Sequence, residues 1–302
     1  MKSPLSLLRN LAYGMLMGGA DVIPGVSGGT MALIVGIYER LVGAISTAVS
    51  LGLALVRFQM EDARRHARDL PWELVLPLGA GILLAVRVGA EVIPPMMADY
   101  PQQMNGLFLG LVGASLIVPA LRIDGFTARH AGLIVLFGVT SFLLVGLPMF
   151  DPGTPGLLRV FASASVSICA MILPGISGAF LLKALGIYEP TLTALTTLDL
   201  PYLLAFCAGA AAGLGAFAKL LDWLLTHRHD ATMAALIGLI AGALRALWPW
   251  GAAERALRLP EAGEPVGSVL LLIGAGFAGV VALIWWSHSS VSEPNTREVR
   301  SP

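Results

Sequence analysis

The amino-acid sequence predicts an all-α polytopic membrane protein that consists of two repeats of inverted topology. Three observations predict this fold class: the composition, six long apolar runs, and an interrupted apolar segment that occurs twice. Of 302 residues, 56% are hydrophobic and 13% are charged, and the mean hydropathy is +0.80. A water-soluble domain of this size cannot hold so much apolar surface in one core, so the chain is expected to lie in a membrane.

Charge and cysteine content exclude several classes of function. The chain has 19 Lys plus Arg and 19 Asp plus Glu, so it carries no net basic charge that would favour nucleic acid as a partner. Cys169 and Cys207 lie inside apolar runs, and the five histidines are not clustered with cysteines or carboxylates. We therefore expect no disulfide framework, no metal site and no cofactor.

Six apolar runs are long enough to cross a bilayer, which needs roughly 20 residues of helix. They lie near residues 73–98, 102–121, 131–148, 202–225, 232–250 and 268–287. All six tryptophans fall at ends of these runs, where an amphipathic ring is stable at the level of the lipid headgroups. Glycines four residues apart are expected to let helices approach closely; the pairs are Gly106 and Gly110, Gly209 and Gly213, and Gly238 and Gly242.

Two further apolar segments are interrupted and resemble each other. Residues 20–41 align with residues 170–191 at a constant offset of 150, and nine of the 22 positions are identical. The identities include a Pro-Gly-x-Ser-Gly motif that begins at Pro24 and at Pro174, and a Gly-Ile-Tyr-Glu motif that begins at Gly36 and at Gly186. The chain is therefore predicted to be two homologous halves.

Each half is predicted to hold one re-entrant helical hairpin and about three transmembrane helices. Repeat one, residues 1–150, has its hairpin near 5–40 and an interfacial segment near 41–70 before its three spans. Repeat two, residues 151–302, has its hairpin near 158–189 and a polar tail at 288–302 after its three spans. Three crossings are an odd number, so the second half is inverted relative to the first.

The alternative topology treats residues 30–58 as a full span, which gives four crossings per half and parallel repeats. It places the arginine-rich stretch 57–68 on the outer side, against the bias of cationic residues toward the cytoplasm. We prefer the inverted topology for that reason. It predicts that both termini are cytoplasmic.

The duplicated segments contain the residue types that break a helix inside a bilayer. In each copy a proline ends the incoming helix, glycines permit unusual backbone angles, and a serine, Ser27 or Ser177, offers a hydroxyl. Such a break persists only where protein, water or a ligand satisfies the freed backbone groups. A helix restarting near Gly29 would point its N–H groups at the break, which suits an anion. The alternative is a pair of structural kinks.

Charged residues inside the membrane are a second indication of function, because each costs at least about 2.5–3.5 kcal/mol. Lys183 and Arg245 are the embedded candidates for binding an anion, although Arg245 equally fits a side chain that reaches to the interface. Asp21, Glu39 and Glu189 are candidates for coupling or gating. Glu39 and Glu189 occupy matching repeat positions, whereas Met171 stands where the second copy would match Asp21.

An enzymatic interpretation rests on the short G-x-S-G pattern around Ser27 and Ser177, which intramembrane serine proteases share. Activation of a serine needs a base within hydrogen-bond reach, and all five histidines lie in loops or at predicted span ends. A Ser177–Lys183 pair stays open. The same serine occurs twice, once without such a lysine, which favours ligand contact and a chain that is not an enzyme.

Two sequence motifs resemble the signature of the bacterial PopT-like polyprenyl-phosphate transporter family. They are Gly-Gly-Ala-Asp-Val-Ile-Pro-Gly-Val-Ser-Gly-Gly-Thr from Gly18 and Leu-Pro-Gly-Ile-Ser-Gly from Leu173. The resemblance covers nearly the whole chain. It implies a multi-pass protein of the bacterial plasma membrane that returns undecaprenyl phosphate, the lipid carrier of cell-wall precursors, from the outer to the inner leaflet. Ala179, Phe180 and Lys183 depart from the pattern expected after the second motif.

Together, the residues and the resemblance predict a phosphate site. Backbone N–H groups and hydroxyls of the two breaks are expected to hold the phosphate, the lipid tail stays in hydrocarbon, and Lys183 or Arg245 supplies countercharge. The proposed contacts are Ser27, Gly28, Gly29, Thr30, Ser177 and Gly178. A coupling H⁺ or Na⁺ is the expected second partner, and the sequence leaves the oligomeric state open. A small-anion transporter or channel and, less favoured, an intramembrane hydrolase are the alternatives.

Overall fold

The computed structural model of the chain describes residues 4–22, 27–146, 155–174, 178–251 and 257–291. Helices dominate all of these ranges. In the first half they are α1 (Pro4–Asp21), α2 (Gly28–Ile34), α3 (Tyr38–Val56), α4 (Met60–Asp69), α5 (Trp72–Asp99), α6 (Pro101–Ser115), α7 (Ile117–Ala120) and α8 (Ala128–Val145). In the second half they are α9 (Leu157–Ile172), α10 (Gly178–Ala184), α11 (Tyr188–Thr197), α12 (Leu200–His227), α13 (His229–Ala243), a 3₁₀ turn (Leu244–Leu247) and α14 (Val266–Val291).

Seven segments within the described ranges are long and apolar enough to cross a membrane. Six of them coincide with the six predicted spans, so the all-α, multi-pass class is confirmed. The seventh is α3, Tyr38–Val56, which lies in the region predicted to be interfacial. Its 19 residues satisfy the length and composition of a span, whereas α11, which follows the second break, has only 10 residues.

The order and lengths of the helices repeat between the two halves. α2 and α10 both have seven residues, and α5 and α12 both have 28. Gly36 and Gly186 end the short helices with φ of +75° and +67°, backbone angles that glycine adopts without strain. Tyr38 precedes Trp72 by 34 positions and Tyr188 precedes Leu200 by 12, so the first half contains 22 extra residues, which form the longer α3 and all of α4.

Glycines bring four pairs of helices into close parallel contact. Added Cβ atoms at Gly14 and Gly18 of α1 would meet the backbone of Leu78 and Ile82 of α5. The same contact recurs between α9 and α12, between α6 and α14, and between α8 and α13, at Gly209, Gly213, Gly110, Gly238 and Gly242. The predicted role of these glycines in packing is confirmed. Two of the four pairs join helices from different halves, so the halves interlock.

The centre of the molecule consists of α2, α6 and α13. About half of the span residues in the segments of α6 and α13 are buried, 50% and 56%, against 11–24% in the other five. Every residue of α2 is buried, and this helix packs against α6, α7, α9 and α14. The outer helices present apolar side chains to their surroundings, which suits contact with lipid.

Candidate functional site

The first interrupted segment restarts as a capped helix. α1 ends at Asp21, and the intervening residues 23–26, with Pro24 and Gly25, lie outside the described ranges. Ser27 adopts extended angles (φ −127°, ψ 136°) and its Oγ accepts a hydrogen bond from the Gly29 N–H at 3.2 Å. This is the arrangement of a helix N-cap, in which a side-chain oxygen satisfies a backbone N–H that has no partner within the helix.

The Asp21 carboxylate also binds the start of α2. Its Oδ1 accepts from the Gly28 N–H at 2.6 Å, and a Cβ added at Gly28 would lie 2.6 Å from Oδ2. The Thr30 N–H donates to the Ser27 carbonyl at 2.9 Å. The N–H groups predicted to hold a phosphate therefore already have partners in this conformation, and one of these partners is an anion of the protein itself.

The two interrupted segments contact each other. The Ser27 hydroxyl donates to the Leu173 carbonyl at 3.4 Å, and the Tyr38 hydroxyl donates to the Ile172 carbonyl at 3.1 Å. A Cβ added at Gly29 would lie 3.0 Å from the same Ile172 carbonyl oxygen. α9 ends at Ile172, so two donors from the first half satisfy carbonyl groups that the end of this helix leaves free.

The second interrupted segment also continues as a seven-residue helix, but the residue that contacts the start of this helix differs. Residues 175–177, including Ser177, lie outside the described ranges, and α10 begins at Gly178. The side chain of Met171 lies where a Cβ of Gly178 would be, as the Asp21 carboxylate lies at Gly28. A thioether therefore replaces a carboxylate at the matching position.

The two predicted cations contact aromatic side chains in the structure. Lys183 is exposed on α10, and its Nζ lies 5.5 Å from the ring centroid of Tyr188. Arg245 lies in the 3₁₀ turn, where its Nη1 donates to the Phe142 carbonyl at 3.1 Å and its Cζ lies 4.5 Å from the centre of the Phe142 ring. Arg245 thus binds the last turn of α8, where a cation is favoured.

The two acids at matching repeat positions lie in different surroundings. Glu39 Oε1 accepts from Arg122 Nη1 at 3.0 Å and lies 3.2 Å from His229 Nε2. Glu189, at the matching position on α11, has an exposed side chain. Among the described residues, the acid of the first copy therefore pairs with Arg122 of its own half and contacts His229 on a helix of the opposite half.

Tyr38, Arg122 and His229 are site residues that the sequence analysis did not select. Tyr38 is fully buried, and its place in the repeated Gly-Ile-Tyr-Glu word was a usable signal. Arg122 and His229 gave no signal, because each lies beyond the end of a predicted span and meets Glu39 only through the packing of the helices.

Seven membrane-length helices and two interrupted helical segments that contact each other define a multi-pass helical membrane protein. Residues 17–264 match the VCA0040-like family, described as undecaprenyl phosphate translocase-like. This match covers most of the chain, which therefore belongs to that family.

Two characterised relatives extend over most of the chain. A polyprenyl-phosphate transporter of Vibrio cholerae is 34% identical over 252 residues, which are 82% of this chain and 79% of the relative. A polyprenyl-phosphate transporter of Staphylococcus aureus is 29% identical over 259 residues, 80% of this chain and 86% of the relative. No solved structure gives a significant match.

Proposed function

We propose that the protein transports a polyprenyl phosphate across the bacterial plasma membrane and handles the phosphate where the two interrupted segments meet. Membership of the family and the names of the two relatives support this substrate. The observation that carries the proposal is the start of the buried helix α2, where the Gly28 N–H already binds the Asp21 carboxylate. A helix start that holds one anion has the electrostatics to hold another.

The geometry supports an exchange of anions. Phosphate oxygens compete with the Asp21 carboxylate for the Gly28 N–H, and the Ser27 and Thr30 hydroxyls lie in the same first turn of α2. Ser177 and Gly178 are the proposed contacts on the second segment. Since an unpaired phosphate in hydrocarbon is very costly, the protein has to escort only the headgroup while the tail stays in lipid.

We further propose that net transport runs from the outer to the inner leaflet, so that undecaprenyl phosphate is recycled for envelope synthesis. Two inverted repeats with re-entrant hairpins, cytoplasmic termini and a coupling H⁺ or Na⁺ complete this mechanism. It works by alternating access, in which the phosphate site opens to one face of the membrane at a time. Asp21 is the foremost candidate for coupling, because binding of phosphate releases its carboxylate. Glu39 and Glu189 are the other candidates, and Lys183 and Arg245 are countercharges along the path of the phosphate.

The test is exchange of a labelled polyprenyl phosphate between leaflets of proteoliposomes. We expect the intact protein to accelerate exchange and Ser27→Ala to slow it roughly tenfold, since loss of a cap is worth about 1–2 kcal/mol. Ser50→Ala is the matched control, because Ser50 donates only to Ser46 within α3. Its exchange rate should equal that of the intact protein.

Three results would contradict the proposal. If the folded protein exchanged no lipid, even with proton or sodium gradients of either polarity, the proposal of lipid transport would be wrong. Ion current across a planar bilayer would instead indicate a channel for a small anion. Release of a hydrolysis product that disappears in Ser177→Ala would indicate an enzyme.

A further inference from the structure

Two polar clusters join the halves of the protein, and among their residues Glu39 alone is already a candidate for coupling or gating. The first contains Glu39 of α3, Arg122 just after α7, and His229 and Asp230 of α13. Besides the two contacts to Glu39, His229 Nδ1 lies 3.4 Å from Asp230 Oδ1. Glu39 and Arg122 belong to the first half, and His229 and Asp230 to the second.

The second cluster contains Gln102 of α6, together with Arg258 and Glu264 from the segment before α14. Glu264 Oε1 accepts from Gln102 Nε2 at 2.8 Å and from Arg258 Nη2 at 2.5 Å, and Glu264 Oε2 accepts from Arg258 Nη1 at 3.0 Å. Gln102 belongs to the first half and its partners to the second, so this cluster also crosses between the halves.

The clusters lie at opposite ends of the two central helices. α13 begins at His229 in the first cluster, and its 3₁₀ extension ends beside Trp248, whose Nε1 donates to the Arg258 carbonyl at 2.9 Å in the second. α6 begins at Pro101, next to Gln102 in the second cluster, and continues through α7 to Arg122 in the first. The segment His229–Leu247 has 19 residues, so about 28 Å separates the clusters.

The repeat relates the two clusters. Gln102 and Asp230 are each the second residue of matching helices, α6 and α13, at an offset of 128. The first cluster therefore connects the first turn of α13 to α3, and the second connects the first turn of α6 to the segment before α14. Side chains of the first cluster are 28–46% exposed, so water reaches them and the pairs can break without stranding a buried charge.

We propose that the two clusters are latches that close opposite faces of the protein and open in turn during transport. This inference rests on the proposed alternating access and names the residues that would control it. The first latch lies on the face predicted to be cytoplasmic and consists of Glu39, Arg122 and His229. The second latch lies on the other face and consists of Gln102, Arg258 and Glu264. Tyr38 links the first latch to the phosphate site, because it is adjacent to Glu39 in the chain and its hydroxyl donates to the Ile172 carbonyl at the end of α9. Opening of the first latch therefore frees the start of α3 to move away from the second interrupted segment.

The experiment measures access to the phosphate site from each face without any lipid substrate. Ser27→Cys is made in a background with Cys169→Ala and Cys207→Ala, and a membrane-impermeant thiol reagent is applied to spheroplasts and to inverted vesicles. The added changes are Glu39→Gln for the first latch and Glu264→Gln for the second. Asp69→Asn is the control, because Asp69 pairs with Arg65 within α4, 4.0 Å apart, and joins no other element.

We expect Glu39→Gln to raise the labelling rate several-fold in inverted vesicles only, and Glu264→Gln to raise it in spheroplasts only. Asp69→Asn should label at the parent rate on both sides. An equal rise on both faces, or rates equal to that of Asp69→Asn, would overturn the latch proposal. If labelling were face-specific but the protein moved no polyprenyl phosphate, the latch proposal would be supported and the proposed substrate would be wrong.

Discussion

The two interrupted segments share nine residues of sequence identity and differ in nearly everything around them. In the first, every residue of α2 is buried, a carboxylate binds the helix start, and Tyr38 and Glu39 reach the other half. In the second, Met171 replaces the carboxylate and Lys183 and Glu189 are exposed. A repeated sequence therefore reproduces the backbone break, while its position in the molecule decides the chemistry of each copy.

From this comparison we expect the proposed phosphate site to be asymmetric. The first segment supplies charge, a serine cap and a central position, whereas the second supplies the backbone carbonyls of Ile172 and Leu173 against which the first is fixed. Substitutions at matching positions should then have unequal effects, and this inequality is what the following experiments measure.

The largest difference is expected between Asp21 and Met171. Asp21→Asn removes the ionisable group that is the foremost candidate for coupling, so leaflet exchange driven by an ion gradient should fall roughly tenfold or more. Met171→Leu keeps the volume and should change the rate less than twofold. Equal losses in the two variants would show that the segments act symmetrically.

The glycines at the helix starts give the next difference. In Gly28→Ala the new Cβ would lie 2.6 Å from Asp21 Oδ2, so the carboxylate must leave the Gly28 N–H. In Gly178→Ala the new Cβ would overlap the flexible side chain of Met171, which can rotate, and would lie 3.0 Å from the Ser167 carbonyl oxygen. We expect exchange to fall several-fold in Gly28→Ala only, with similar thermal midpoints for both proteins. A more damaging Gly178→Ala would reverse the assignment of roles.

A smaller difference is expected between the two tyrosines. Tyr38→Phe leaves the buried Ile172 carbonyl without its donor, which should cost about 1 kcal/mol and lower the thermal midpoint in detergent by a few degrees. Tyr188→Phe retains the ring that lies beside Lys183 and should leave the midpoint unchanged. An unchanged midpoint in Tyr38→Phe would indicate that water satisfies the carbonyl.

The smallest effect is expected outside both segments, in the pH dependence of stability that Glu264 contributes. Hydrogen bonds from Arg258 and from the Glu261 N–H lower the pKa of Glu264 from 4.5 to about 2. A lowered pKa contributes stability that is present above pH 4.5 and is lost as the pH falls toward 2. Since Arg258 is 35% exposed, screening by water keeps the contribution small.

Thermal midpoints measured between about pH 6 and pH 2.5 test this expectation. The intact protein should lose slightly more stability over that range than Glu264→Gln, which has no carboxyl to titrate. Identical slopes would show that the Arg258–Glu264 pair is not formed in the folded protein.

The sequence was sufficient for the class of fold and for the location of the breaks. Apolar runs of membrane length predict helices because hydrocarbon leaves no other partner for backbone groups, and all six predicted spans are helical. α3 was harder to predict, because it begins soon after the short α2 and its apolar stretch merges with the charged α4. The matching stretch of the second half, between Tyr188 and Leu200, is 22 residues shorter, which the offset of 150 alone does not reveal.

What the sequence by itself determined is local: the apolar lengths, the proline and glycine breaks, the serines within them and the repetition of all these along the chain. What only the tertiary structure decided is which groups meet across long separations, such as Glu39 with His229 and Tyr38 with Ile172. The physical reason is that a helix break depends on a few neighbouring backbone groups, whereas a contact between distant side chains depends on how every intervening helix packs.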